Sequence, residues 1–196
     1  MYKKQLKVQK IICLAAIIIS AAVFIYSLGI MTDLYDTLYS TMRNPSNLLK
    51  TDVEGSIVYY NMQDFNSAFL KASIVLLLLG VLLYITNTHI RRKYYIGNYV
   101  AVGLYSVAAI AISVWAHGQI EIYKAQFLQV DFEALKTHAE MWGTAYTEST
   151  FWFDIHYAVF GLLLLVTAAL IANVFWKINL MKAETNLIEQ GKGKSE

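Results

Sequence analysis

Polar and apolar positions in this chain fall into long blocks rather than short alternations. Four blocks are apolar almost throughout, at 11–31, 67–86, 95–117 and 153–176. Between Asp154 and Lys177 there is no Asp, Glu, Lys or Arg, and a hydrocarbon layer about 30 Å thick takes roughly 20 helical residues to cross. The pattern predicts an all-α integral membrane protein with four transmembrane helices in a bundle. The blocks between are a short N-terminal segment (1–10), a first long excursion (32–66), a short turn (87–94), a second long excursion (118–152) and a C-terminal tail (177–196). Both halves follow the plan of span, excursion and span, without residue-level similarity.

The excursions carry patterns of their own. Leu34, Leu38 and Met42 recur every four residues, so helix 1 is expected to continue about three turns past its span. Asn44-Pro45 ends it, because proline lacks the amide donor and disfavours helix in the residue before it. Residues 52–60 (DVEGSIVYY) favour an extended segment. Asn61, with Asp64 three residues later, signals the start of helix 2. From 119 to 142, Ile120, Phe127, Ala134 and Met141 repeat every seven. That predicts one helix prolonging helix 3 as far as Gly143. Thr and Ser at 147–150 supply caps for helix 4, and Phe151, Trp152, Phe153 and Tyr157 form an aromatic belt. In the tail, Ile178, Met181 and Ile188 outline a short interfacial helix.

Composition supports the membrane class. The 196 residues are 57% hydrophobic and 15% charged, with mean hydropathy +0.45, whereas soluble domains are about a quarter charged. Cys13 is the one cysteine and lies inside the first apolar block, which excludes an intramolecular disulfide and dithiol redox chemistry. Lysines 3, 4, 7 and 10 before that block resemble a secretory signal, and Ser20-Ala21-Ala22 imitates a cleavage site. The apolar run continues well beyond it, which predicts an uncleaved first helix.

The distribution of charge gives the orientation. Segments 1–10, 87–94 and 177–196 hold eleven of the sixteen Lys and Arg, and the long excursions with their edges hold eleven of the fourteen acids. The positive-inside rule then places both termini and the short turn in the cytoplasm and both excursions outside. Arg91, Arg92 and Lys93 in the turn face anionic lipid. Lys71, one turn inside the second span, is expected to snorkel to the interface. No Asn-x-Ser/Thr acceptor occurs in the excursions, in keeping with a bacterial inner or cell membrane.

Two sets of polar residues are candidates for chemistry. His117 and Glu121 stand at i, i+4, and Asp154 and His156 open helix 4 at a similar depth. Imidazole and carboxylate together suit zinc and similar divalent ions. The simpler reading is an interfacial polar group bonded within itself and to water. Lys124, Asp131 and His138, seven apart on the apolar stripe of the second excursion, are expected to form a packing network rather than a ligand pocket. Small residues four apart (Ala16/Ser20, Gly97/Ala101, Ala109/Ser113, Ala168/Ala172) permit close helix approach.

Much is excluded. No Asp, Glu, His or Arg lies near any midplane, against autonomous ion-coupled transport. His89 lies on the opposite side from His117 and His156, against haem held between spans. No phosphate loop, dinucleotide fingerprint, nucleophile elbow or zinc-finger spacing occurs, and the basic residues flank spans, so no resident cofactor, catalysis or nucleic-acid binding is indicated. The external cysteine patterns of claudin-like and tetraspanin-like proteins are lacking. These features predict a small subunit that acts by binding another integral membrane protein, as an accessory or assembly component of a transporter or secretion complex, or by self-association. The alternative is a small-ligand or divalent-metal site, enzymatic or not, at the outer membrane surface around His117, Glu121, Asp154 and His156.

Overall fold

The computed structural model describes residues 2–39, 53–88, 95–143, 145 and 147–192. Among the described residues there are five α-helices and no strand: α1 (Tyr2–Tyr39), α2 (Val58–Thr88), α3 (Tyr95–Phe127), α4 (Phe132–Trp142) and α5 (Phe151–Lys192). Four of them contain stretches long and apolar enough to cross a membrane: Lys3–Ile30, Val58–Asn87, Asn98–Phe127 and Phe151–Ile188.

Each long helix buries one narrow stripe and exposes large apolar side chains around the rest. On α1 the buried positions are Gln5, Gln9, Cys13, Ala16, Ser20, Val23, Ser27 and Ile30, with Tyr26 beside them. Their three- and four-residue steps give the seam of left-handed helix packing. Ile18, Ile25, Leu78, Val107, Val114 and Leu165 lie on exposed faces. Of the small-residue pairs, Ala16/Ser20 and Ala109/Ser113 are buried, as is Ala101, whereas Ala168 and Ala172 are exposed. Lys71 is exposed.

The helices divide between two compact units. The first comprises Met1–Ser20, Leu76–Ile110 and Leu162–Glu196. Its polar centre is made of carboxamides. Gln5 Nε2 donates to Gln9 Oε1 at 2.8 Å and to Asn173 Oδ1 at 3.3 Å, and Gln9 Nε2 donates to the Asn87 carbonyl at 2.6 Å. The stripe therefore begins within the lysine-rich N-terminal segment: Lys3, Lys4, Lys7 and Lys10 are exposed while the glutamines between them are buried. Two turns on, the Tyr105 hydroxyl lies 2.9 Å from Ser20 Oγ and donates to the Ala16 carbonyl at 3.2 Å. Gly80 faces this group: a Cβ there would lie 3.4 Å from Ser20 Oγ and 3.6 Å from the Tyr105 ring.

The second unit comprises Ala21–Val75 and Ala111–Gly161. Its core is aromatic. Phe69, fully buried, meets Tyr26, Phe65, Trp115 and Phe160 at ring-centroid distances of 5.6–6.5 Å. The Tyr26 hydroxyl donates to the Trp152 carbonyl at 3.0 Å, and Ser27 and Ser73 hydroxyls lie 3.0 Å apart.

Several elements depart from the sequence expectations. Residues 53–57 form a bend and turns and helix α2 starts at Val58, so the β-favouring run is helical at its end and the Asn61 start signal lies one turn inside the helix. Burial of Val53, Ser56, Val58, Tyr59 and Met62 outweighs local preference here. The helix expected across 119–142 is broken between Phe127 and Phe132. Asp131 takes an extended backbone there, accepts from Ala134 N as the N-cap of α4, and donates its own amide to the Glu54 carbonyl at 3.1 Å. That last bond is tertiary, and hydrophobic periodicity carries no record of it. Gly143 ends α4 in the left-handed conformation (φ 64°), as its position suggested. The tail forms no separate helix: α5 runs to Lys192, with neither Gly nor Pro between 177 and 190 to stop it. Asn44-Pro45 and the Arg91, Arg92, Lys93 cluster lie outside the described residues.

Candidate metal centre

The second unit brings three chemistry-bearing side chains together on facing stretches of α3 and α5. His117 and Glu121 are one turn apart on α3, and α5 presents His156 in its second turn. The Nδ1 of His117 lies 2.8 Å from Nε2 of His156, and that nitrogen is 3.7 Å from Glu121 Oε1. One donor atom from each of the three falls within 4.8 Å of the others. His156 is 1% exposed, Glu121 is half-buried and His117 is exposed, so the group opens to the surface on the His117 side.

The second imidazole nitrogen of His156 fixes its tautomer. Nδ1 contacts the Phe153 carbonyl one turn back. A carbonyl only accepts, so Nδ1 carries a proton, and in the neutral ring Nε2 is left with a lone pair facing His117 Nδ1. Metal-bound histidines are oriented in this way, the far nitrogen donating to a carbonyl or carboxylate. Glu121 is oriented too: the Tyr157 hydroxyl donates to its Oε1 at 2.7 Å. The Tyr157 ring packs against both imidazoles, at 4.1 Å from His156 and 5.7 Å from His117.

Two of these separations lie near those that a small divalent ion requires. With metal–nitrogen bonds near 2.0–2.1 Å, tetrahedral donors stand about 3.3 Å apart. The imidazole nitrogens would open by about 0.5 Å, and the half-exposed Glu121 would close by a similar amount on His156. Two imidazoles and one carboxylate are a donor set for zinc, cobalt and similar borderline ions.

Asp154, the fourth residue of the sequence candidate, is engaged elsewhere. Lys124 Nζ pairs with its Oδ1, and the Thr150 hydroxyl donates to its Oδ2 at 2.7 Å. On a helix, positions two apart point to different sides, so Asp154 and His156 do not present to one point. Lys124, Asp131 and His138 do not form one line either. Lys124 pairs across to α5, Asp131 caps α4, and half-buried His138 places its ring 6.2 Å from Trp142. The break before α4 separates the three.

Sequence reading missed the roles of Tyr157, Phe153 and Thr150. Tyr157 follows His156 directly and was legible only as part of an aromatic belt. That its hydroxyl reaches Glu121 depends on α3 lying alongside. Tyr157→Phe removes the hydrogen bond to Glu121 and keeps the ring. Orienting partners of this kind are typically worth about 10–100-fold in metal affinity, so metal titration should show a loss of about tenfold, with thermal unfolding unchanged.

Among the described residues, four apolar helices of spanning length and one His–Glu–His convergence define the class: a helical chain able to cross a membrane several times, with a compact polar site. Beyond that class, no family model, no curated protein and no solved structure matches it.

Proposed function

We propose that this is a four-span membrane protein that binds one divalent transition-metal ion through His117, Glu121 and His156. The observation that carries the reading is the convergence of buried His156 with His117 and Glu121, its Nε2 2.8 Å from His117 Nδ1 and its Nδ1 on the Phe153 carbonyl. The charge distribution supports both termini being cytoplasmic and the excursions outside, and the lack of Asn-x-Ser/Thr acceptors in the excursions fits a cell membrane of bacterial inner-membrane type. The metal site then lies near the outer membrane surface. At 1.5 Å per residue, 42-residue α5 is about 63 Å long, twice the hydrocarbon thickness, which suits a helix that crosses and continues into the cytoplasm.

The test is purification in mild detergent, removal of metal with chelator, and titration with zinc or cobalt. About one equivalent should bind, with a dissociation constant below micromolar. Failure to bind either ion would overturn the reading.

A second reading, a subunit acting by contact with another membrane protein or its own copy, is favoured by large side chains left on the surface at the end of α4. Met141 is 73% and Trp142 68% exposed, and aromatic residues are enriched at protein contacts. The same purification from native membranes tests it: a stoichiometric companion or a dimer supports it, and a lone monomer argues against it.

A further inference from the structure

Resting on the metal reading, we propose that the loaded site holds a small oxyanion, a carboxylate or phosphate group, as an exchangeable ligand shared between the metal and Lys124. Among the described residues three donors converge, and divalent ions of this class take four or more ligands, the remaining position falling to water or substrate. The exposed His117 edge leaves that position uncovered by packing.

Lys124 supplies the second point of attachment. His117, Glu121 and Lys124 occupy positions i, i+4 and i+7 of α3, which share one helix face. Lys124 is one turn beyond Glu121, about 4.5 Å along the axis. A metal held by His117 and Glu121 therefore has an ammonium on the same helix face one turn away, carried on a flexible four-carbon stem that can share an oxyanion with the metal. Lys124 is held in place from the other side by Asp154, itself anchored by Thr150. Asp154 is thus a carboxylate that already occupies the lysine, and an arriving oxyanion competes with it.

This arrangement yields opposite effects for the two partners, which a role in folding alone does not produce. Cobalt-loaded protein in phosphate-free buffer is titrated with inorganic phosphate while the visible cobalt bands are followed. The bands should change saturably. Lys124→Ala should weaken phosphate binding by about tenfold or more, since a charge-assisted hydrogen bond is lost. Lys124→Arg should retain most of the affinity. Asp154→Asn should tighten binding by about threefold, as the partly exposed ion pair no longer competes. Bands indifferent to phosphate would overturn the proposal while leaving the metal reading intact. So would phosphate binding that Lys124→Ala leaves unchanged, or that Asp154→Asn weakens. Failure to bind cobalt would instead remove the reading beneath it.

Discussion

Replacing His156 by Ala should lower metal affinity by more than about 100-fold, beyond the range typical of losing a partner outside the ligand set. His156 contributes the buried nitrogen of the group, and its ring is held on both sides. Nδ1 donates to the Phe153 carbonyl and Nε2 faces His117. On the proposed reading truncation removes a ligand, and it leaves the Phe153 carbonyl and His117 without that contact. Because the side chain is 1% exposed, the variant also opens a cavity and should lose thermal stability. His117→Ala separates the two effects. His117 is exposed, so its removal should cost metal binding of the same order while the unfolding temperature of metal-free protein hardly moves. Calorimetric titration with zinc on all three proteins is the measurement. Retention of affinity in His117→Ala would show that His117 is not a ligand and is paired with His156 for packing alone.

Gly55→Ala should destabilise the second unit by about 2–4 kcal/mol, combining the left-handed backbone cost of an L-residue with overpacking. Gly55 has φ +80°, and a Cβ there would lie 2.8 Å from the Gln129 carbonyl oxygen and 2.9 Å from the Val130 Cα. Both neighbours are backbone, and both belong to the corner between α3 and α4. They cannot swing aside as a side-chain tip can. The same turn contributes the Glu54 carbonyl that accepts from Asp131 N, so pushing it away also strips the N-cap region of α4 of a tertiary bond. The expected result is a lower unfolding temperature in detergent, with α4 exchanging its amides faster than in the parent. Metal affinity at low temperature should persist, since His117, Glu121 and His156 are on stretches that this turn does not hold. An unchanged unfolding temperature would mean that the corner relaxes freely.

Gly55 also shows where sequence patterns end. A glycine between Glu54 and Ser56 reads as a break in an otherwise β-favouring run. Nothing local says that it lies under the backbone of residues 129–130, more than seventy positions away. The Asp131 cap is a similar case. Its heptad spacing from Lys124 and His138 placed it in a packing row, but its side chain turns back to Ala134 N and its amide reaches Glu54.

The half of the site that lies on one helix was legible. His117 and Glu121 are i, i+4, and that spacing alone puts them on one face. The other half was legible only in part. Asp154 and His156 were both candidates by depth, and an identical argument served each. Which of the two faces His117 depends on the rotation of α5 about its axis, and that rotation is set by the buried stripe of Phe153, His156, Phe160 and Leu163. His156 falls on the stripe and is buried; Asp154 falls off it and meets Lys124.

The sequence by itself determined the four long apolar helices and the approximate extent of their apolar blocks. The reason is that uninterrupted apolar length, with charges confined to its ends, is a property of the chain read in order. It also determined the Gly143 stop and the closeness of His117 to Glu121, because both follow from local backbone geometry. Tertiary structure decided the rest: the break at residues 128–131, the buried glutamines between exposed lysines on α1, the exclusion of Asp154 and the arrival of Tyr157 at Glu121. Each is set by the rotation and register of one helix against another. Those quantities come from the packing of whole stripes, and no single residue's spacing encodes them.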